Sequence, residues 1–246
     1  MREDRLALVI ERLNRDGRIV AVDLAASLGV PVDMIRRDLR DLATRGDCQR
    51  VYGGALRPAA RPGVRNVVSS PLAKAAARMF RPGQVVYVDA GRTNLAVVGM
   101  LDPSLIATVV TACPAVAAAL LAHPMVEIIM IGGKLDRATG AALGATALDA
   151  IRDLRFDLCL LGACAIAEEG VSAFQSEDAA MKRHLVAASA ATVVVATADK
   201  VGTRAPFHVM PITGLDRLIV EEDAPEAELA RIREAGVEVE QVAAHG

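Results

Sequence analysis

Four cysteines are all that the 246 residues contain, Cys48, Cys113, Cys159 and Cys164, and none has metal-ligand spacing or a histidine close by in sequence. A structural metal is therefore not expected, and reduced, mostly buried thiols in a cytosol are. Charge is missing altogether between Asp102 and Glu127, a stretch long enough to cross a bilayer. Pro103, Pro114, His123 and Pro124 interrupt it, so it reads as a buried strand over 106–111 and an apolar helix over 114–122. The first residues, MREDRLALVIERLNRDG, carry too much charge for a secretory signal. Neither a full dinucleotide motif nor a nucleotide-triphosphate loop appears, nor any internal repeat or low-complexity tract. A soluble cytoplasmic protein with no cofactor and no membrane partner is expected.

What is present begins with 53% apolar residues, enough to bury a full core. The net charge of −2 conceals an asymmetry. The first 66 residues hold 13 arginines and no lysine against nine acidic residues, while the remainder is acidic on balance. A basic head on an acidic body suits a protein whose head alone meets nucleic acid.

Within that head, 32–45 has helical period. Ile35, Leu39 and Leu42 share one stripe, and Asp33, Arg37, Arg40 and Thr44 lie opposite with Arg36 on the flank. Asp23 suits the start of a shorter helix ahead of it. Gly29-Val30-Pro31 turns the chain between the two, and Pro31 is acceptable at a first helical position. A short helix, a glycine-containing turn and a helix with outward arginines make a helix-turn-helix. The β-prone runs 18–22 and 48–52 are expected to pair as a wing that ends at Gly53-Gly54. Leu6, Val9, Ile10 and Leu13 supply a further helix. The competing reading is a surface helix with solvated arginines, since charge runs often mean only that.

Three prolines and a glycine without periodicity make 55–71 a linker. A helix over 72–80 follows it. Beyond that, apolar strands alternate with helices: strands 85–89, 107–111, 127–131, 156–161, 192–196, 217–220 and 237–242, and helices 93–101, 114–122, 146–154, 176–190 and 225–235. Strands apolar throughout belong to a parallel sheet covered on both faces. The fold class is thus an α+β winged helix-turn-helix head, 1–54, followed by an α/β doubly wound domain, 72–246. Ligands of such sheets bind beyond the carboxyl ends of the strands. There stand Asp89, Gly91, Arg92, Thr93 and Asn94, then Thr111, then Gly132-Gly133, then Lys200. Gly91 and the following helix start form a plausible anion cradle, Lys200 a positive charge, and Asp89 a partner for hydroxyls. Singly, each loop is more often an ordinary turn, with Asp89 a cap and Lys200 a solvated lysine. What unites them is that all fall at one end of the sheet.

Asp23-Leu24-Ala25, Gly29-Val30, Ile35-Arg36-Arg37-Asp38-Leu39, Leu42, Gly46, Arg50 and Gly53-Gly54-Ala55 resemble the N-terminal signature of the DeoR-type bacterial repressors of sugar metabolism. Pro31 and Met34 depart from the serine and threonine usual there. The resemblance implies a double-stranded DNA operator read by Asp33, Met34, Arg36, Arg37 and Arg40, with Arg50 and Tyr52 of the wing near the backbone. It continues through the body in Asp89-x-Gly91-x-Thr93, Gly132-Gly133, Gly144, Phe156-Asp157, Gly162, Lys182-Arg183 and Lys200 with Gly202. This implies an effector domain of the ribose-phosphate isomerase-like fold that binds a phosphorylated sugar or related anionic metabolite, with Lys182 in the site. Arg92, Ala112 and Thr197 depart from the usual small hydroxyl residue, asparagine and aspartate.

The function expected is sequence-specific repression by a homo-oligomer, dimer or tetramer, rather than catalysis. The alternative is a sugar-phosphate isomerase-like enzyme with a fused head, which needs a carboxylate base. Asp89, Glu177 and Asp178 are its candidates, and Glu177 is also placed with the effector-binding residues. A repressor needs no catalytic residue.

Overall fold

The computed structural model describes residues 2–16, 18–45, 48–51, 53–56 and 70–243. It divides into two compact units, Met1–Gly63 and Val64–Gly246.

In the first unit α1 (Arg2–Asp16), β1 (Arg18–Val20), α2 (Ala21–Leu28), α3 (Val32–Arg45), β2 (Gln49–Val51) and β3 (Gly54–Leu56) follow in order. Leu6, Val9 and Leu13 of α1 close over Leu24 of α2 and over Ile35, Leu39 and Leu42 of α3, all buried. This is the stripe that the 3.6-residue period predicts. Gly29 ends α2 at φ +63°, its N–H directed to the carbonyls of Ala25 and Ala26. A side chain is strained in that left-handed conformation. Two polar clamps fix α1: Arg5 Nε donates to Oδ2 of buried Asp38 at 2.6 Å, and Arg12 donates to the Ser27 hydroxyl at 2.8 Å.

The wing differs from expectation. The runs flanking the helices do not pair with each other, because β3 lies between them in the order β1-β3-β2. A Cβ on Gly54 would lie 1.9 Å from the Ile19 carbonyl oxygen, so a glycine is what lets β3 approach β1. Ala21 and Val22, expected in the first run, open α2 instead. The linker expected over 55–71 is shorter at both ends. Ala55 and Leu56 belong to β3, and Pro71 occupies the first turn of the next helix, where its missing N–H costs nothing. Tyr52 and most of the expected linker lie outside the described residues.

The second unit runs α4 (Pro71–Ala77), β4 (Val85–Val88), α5 (Arg92–Val98), β5 (Ala107–Thr111), α6 (Pro114–Leu120), β6 (Val126–Met130), β7 (Lys134–Leu135), β8 (Ala142–Leu143) and α7 (Ala145–Ile151). There follow β9 (Leu158–Leu161), β10 (Ala165–Ala167), β11 (Gly170–Ala173), α8 (Ser176–Ala187), β12 (Thr192–Ala196), β13 (Phe207–Met210), β14 (Arg217–Glu221), α9 (Glu226–Glu234) and β15 (Glu238–Val242). Seven strands form one parallel sheet in the order β15-β14-β12-β9-β4-β5-β6. Side chains alternate across it. Val86, Val88, Leu158, Leu160, Val193 and Val195 meet α4, α5 and α6 on one face. Tyr87, Cys159, Leu161, Val194 and Ala196 meet α7, α8 and α9 on the other. Burial on both faces is why these strands are apolar throughout, each fully buried Val or Leu contributing about 1.5–3 kcal/mol. The short antiparallel strands β7, β8, β10, β11 and β13 were not expected. Among the described residues no helix is long and apolar enough to cross a membrane.

The order locates the switch point. From β4 the chain moves outward through β5 to β6, then returns to place β9 on the other flank of β4. In sheets of this kind, ligands bind beyond the carboxyl ends of the strands at such a point, here β4 and β9.

Candidate functional site

The head presents its charges on the outer face of α3. Asp33, Met34, Arg36, Arg37 and Arg40 are all exposed, Met34 by 39%. Arg36 Nη1 donates to Asp33 Oδ1 at 3.0 Å, one turn back along the helix. Arg50 belongs to β2.

In the body, Asp89 follows β4 directly at the switch point and is buried. Its Oδ1 accepts the Ala90 N–H at 2.8 Å, and its Oδ2 accepts the Gly162 N–H beyond β9 at 3.0 Å. One carboxylate thus stitches both strand ends. Gly162 has no room for a side chain: a Cβ would stand 2.5 Å from the Ala90 carbonyl oxygen. Asn94 works at the same seam, its Nδ2 donating to the carbonyls of Asp89 and Leu160 at 3.1 Å each.

Helix α8 supplies the next partner. Lys182 is buried, and its Nζ lies 3.1 Å from Asp89 Oδ2 while also donating to Asp178 Oδ1. Asp178 and Lys182 stand four residues apart and so share one helix face. Burial alone would push Lys182 down, but Asp89 and Asp178 outweigh it and hold the ammonium above the ordinary lysine range. Burial raises Asp178, against the pull of Lys182, and the charge of Asp89 adds to the rise.

Lys200 comes from a 3₁₀ turn after β12. It is held below the ordinary lysine range, first by burial and then by repulsion from Arg92 and Lys182, with Cys164 and Asp199 opposing. Arg92 is exposed at the start of α5. Burial also pushes the Cys164 thiol up, which makes it a poor nucleophile.

Several expected positions behave differently. Asn94 is buried within the seam rather than lining a surface. The Thr111 hydroxyl is buried and accepts the Cys113 N–H at 3.1 Å. Gly91 is exposed at φ +143°, and Thr93 is half-buried. Gly132 and Gly133 are exposed past β6, two strands from β4. Glu177 is exposed on the first turn of α8, and its neighbour Asp178 is the acid turned inward. Spacing carries the signal for this: Asp178 stands at i,i+4 from Lys182, Glu177 at i,i+5.

Two family models match. The DeoR-like helix-turn-helix domain covers residues 5–60, and the DeoR C terminal sensor domain covers residues 70–222. The chain belongs to the DeoR family of transcriptional repressors. Over nearly its full length this DeoR-family chain is 31% identical to a putative aga operon transcriptional repressor of Escherichia coli O157:H7, over 96% of this chain and 92% of that one. It is 27% identical to the glycerol-3-phosphate regulon repressor of Escherichia coli K12, over 88% and 89%. With the transcriptional repressor GlcR of Bacillus subtilis it shares 25%, over 89% and 88%. Among solved structures, a ribose 5-phosphate isomerase A from Methanocaldococcus jannaschii aligns at TM-score 0.36 and 13% identity, over 50% of this chain and 49% of that one, too distant to carry an argument. This DeoR-family chain is a DNA-binding regulator whose sensor domain holds the buried, ion-paired cluster of Asp89, Asp178 and Lys182.

Proposed function

We propose that the DNA affinity of this repressor is set by a phosphorylated sugar or related anionic metabolite held at the carboxyl ends of β4 and β9. The observation that carries the reading is the Lys182–Asp89 ion pair at the switch point, with exposed Arg92 opening the helix that follows β4 and Lys200 following β12 at the same end of the sheet. Cations that repel one another favour an anion between them, and arginine takes phosphate bidentately. A carboxylate offers about four lone-pair sites. Asp89 uses three of them on Ala90, Gly162 and Lys182, which leaves one for a sugar hydroxyl. One relative, the glycerol-3-phosphate regulon repressor, is named for a phosphorylated metabolite of the same class.

The same site argues for sensing rather than turnover. Asp89 and Asp178 are both committed to Lys182, so neither stands free as the base an isomerase needs. On the DNA side, Arg36, Arg37 and Arg40 read base edges and phosphates of a double-stranded operator, with Arg50 and Tyr52 at the backbone. One head makes few contacts, and half-sites a helical turn apart need two, so the protein acts as a cytoplasmic homo-oligomer.

The test is operator binding by the full chain, titrated with phosphorylated sugars and with their unphosphorylated parents. Phosphorylated compounds alone are expected to change operator affinity, and none to be converted. Equal effects from the unphosphorylated parents, or turnover of an aldose phosphate, would overturn the reading.

A further inference from the structure

The exposed apolar surface of the body is gathered at one place. Seven large hydrophobic side chains of this unit are exposed among the described residues, and six of them follow the β5–β6 edge. Ile106 precedes β5, Leu121 ends the helix between β5 and β6, and Met125 precedes β6. Ile129 and Met130 lie in β6 itself, and Leu135 follows in β7. Their exposures run from 38% for Ile129 to 77% for Leu121. Only Phe207 stands elsewhere.

Strand β6 is the last of the sheet and pairs with β5 alone. Its outer edge therefore offers a row of backbone donors and acceptors. Proteins guard such edges with charge, proline or bulges. Here Val126-Glu127-Ile128-Ile129-Met130 has a single charge and no proline, and its register with β5 runs without a break. At the exposures given, the six side chains leave on the order of 600 Å² of apolar surface in water, most of the roughly 800 Å² that a stable interface takes from each partner.

We infer that this edge is where two copies of the chain join, β6 against β6 in antiparallel register about a twofold axis, so that one sheet continues through both bodies. The inference rests on the reading of the protein as a homo-oligomer and names its surface. Identical edges satisfy one another in an isologous pair, where each row of donors meets the same row reversed. The charges agree with that direction. Glu127 lies near the start of β6 and Lys134 and Arg137 lie past its end, all exposed, so reversal brings the acid of one copy toward the bases of the other. Parallel pairing would set like beside like.

Sedimentation of the full-length wild type and of an Ile129→Lys, Met130→Glu double variant tests this, with circular dichroism as the fold control. The wild type is expected to be an oligomer, and the variant to raise the dissociation constant at least tenfold with its spectrum unchanged. A tetramer that falls to a dimer supports the assignment equally. An oligomer that the variant leaves intact overturns this surface while the oligomer reading survives. A wild-type monomer, free and on operator, overturns both. Hydrogen exchange on the wild type needs no variant: the outward amides of β6 should be protected in the oligomer and lose protection on dilution to monomer. Rapid exchange in the oligomer, or protection that persists in the monomer, overturns the proposal whether or not the variant folds.

Discussion

The ammonium of Lys182 stands 3.1 Å from Oδ2 of Asp89, and the same oxygen accepts the N–H of Gly162, so a helix residue closes a seam between two strands. Removing the cation leaves two buried carboxylates facing each other. Lys182→Met is expected to destabilise the body by about 3–5 kcal/mol, the range for breaking a buried pair. Adding Asp178→Asn should recover part of that loss, because one of the stranded charges is gone. Calorimetry checks both, and a single variant that melts like the wild type would mean the three groups do not act together.

Asp178 also sets a pH signature. Its folded pKa lies above the ordinary 3.8, chiefly through burial. Its contribution to stability is therefore full below the unfolded value and is lost as pH rises through the folded one. The stability of the wild type relative to Asp178→Asn should fall as pH climbs from below 3.8 and then level off. A difference that rises over that interval contradicts the assignment.

Arg92 and Lys200 are expected to read the anionic group of the effector. A ligand at 100 times its dissociation constant stabilises by about 2.7 kcal/mol. Phosphorylated sugars should raise the wild-type melting temperature, and Arg92→Ala should lose most of that rise. Because Lys200 sits below the ordinary lysine range, affinity should fade as pH approaches that lowered value, and Lys200→Arg should flatten the profile. Tighter binding by Arg92→Ala would make the arginine an obstruction instead of a contact.

On the DNA side, replacing a base-reading arginine of α3 by alanine should cost about 1–3 kcal/mol and relax preference at one operator position. Loss of a phosphate contact should weaken all sequences alike and lower the salt slope. Single variants at Arg36, Arg37 and Arg40, titrated at several salt concentrations, separate the two roles. A triple alanine variant with wild-type operator affinity removes α3 from the interface.

Gly162→Ala should uncouple sensing from DNA binding. Its Cβ would fall 2.5 Å from the Ala90 carbonyl oxygen and 3.0 Å from Asp89 Oδ2, at an overpacking cost of about 1–3 kcal/mol. Operator affinity should persist while the thermal response to phosphorylated sugars disappears. A normal response from the variant would show that the seam tolerates displacement.

Periodicity made the framework legible. The stripe Ile35, Leu39, Leu42 yields the bounds of α3, and apolar strands yield a sheet buried on both faces. Strand β3 was hidden because Gly53-Gly54 reads as a turn, whereas the close approach of Ile19 that requires Gly54 exists only in three dimensions. The loop Asp89–Asn94 was visible through its residue types, but its division of labour was not. Which of two adjacent acids turns inward depends on the phase of α8, and that selects Asp178 over Glu177. Asn94 looked like a ligand residue for the same reason: an amide in a loop carries no mark of whether it faces a neighbouring strand or a solute.

The contact between Arg36 and Asp33 has a consequence for how the head searches a genome. Both side chains are exposed, 58% and 86%, so the pair is weak and yields easily to a stronger partner. Guanine, with two acceptors in the major groove, is such a partner, and a single phosphate oxygen is less so. Asp33 meanwhile repels any backbone that comes near. On the operator reading proposed above, the acid would disfavour indiscriminate landing, and a correct base step would release the arginine from it.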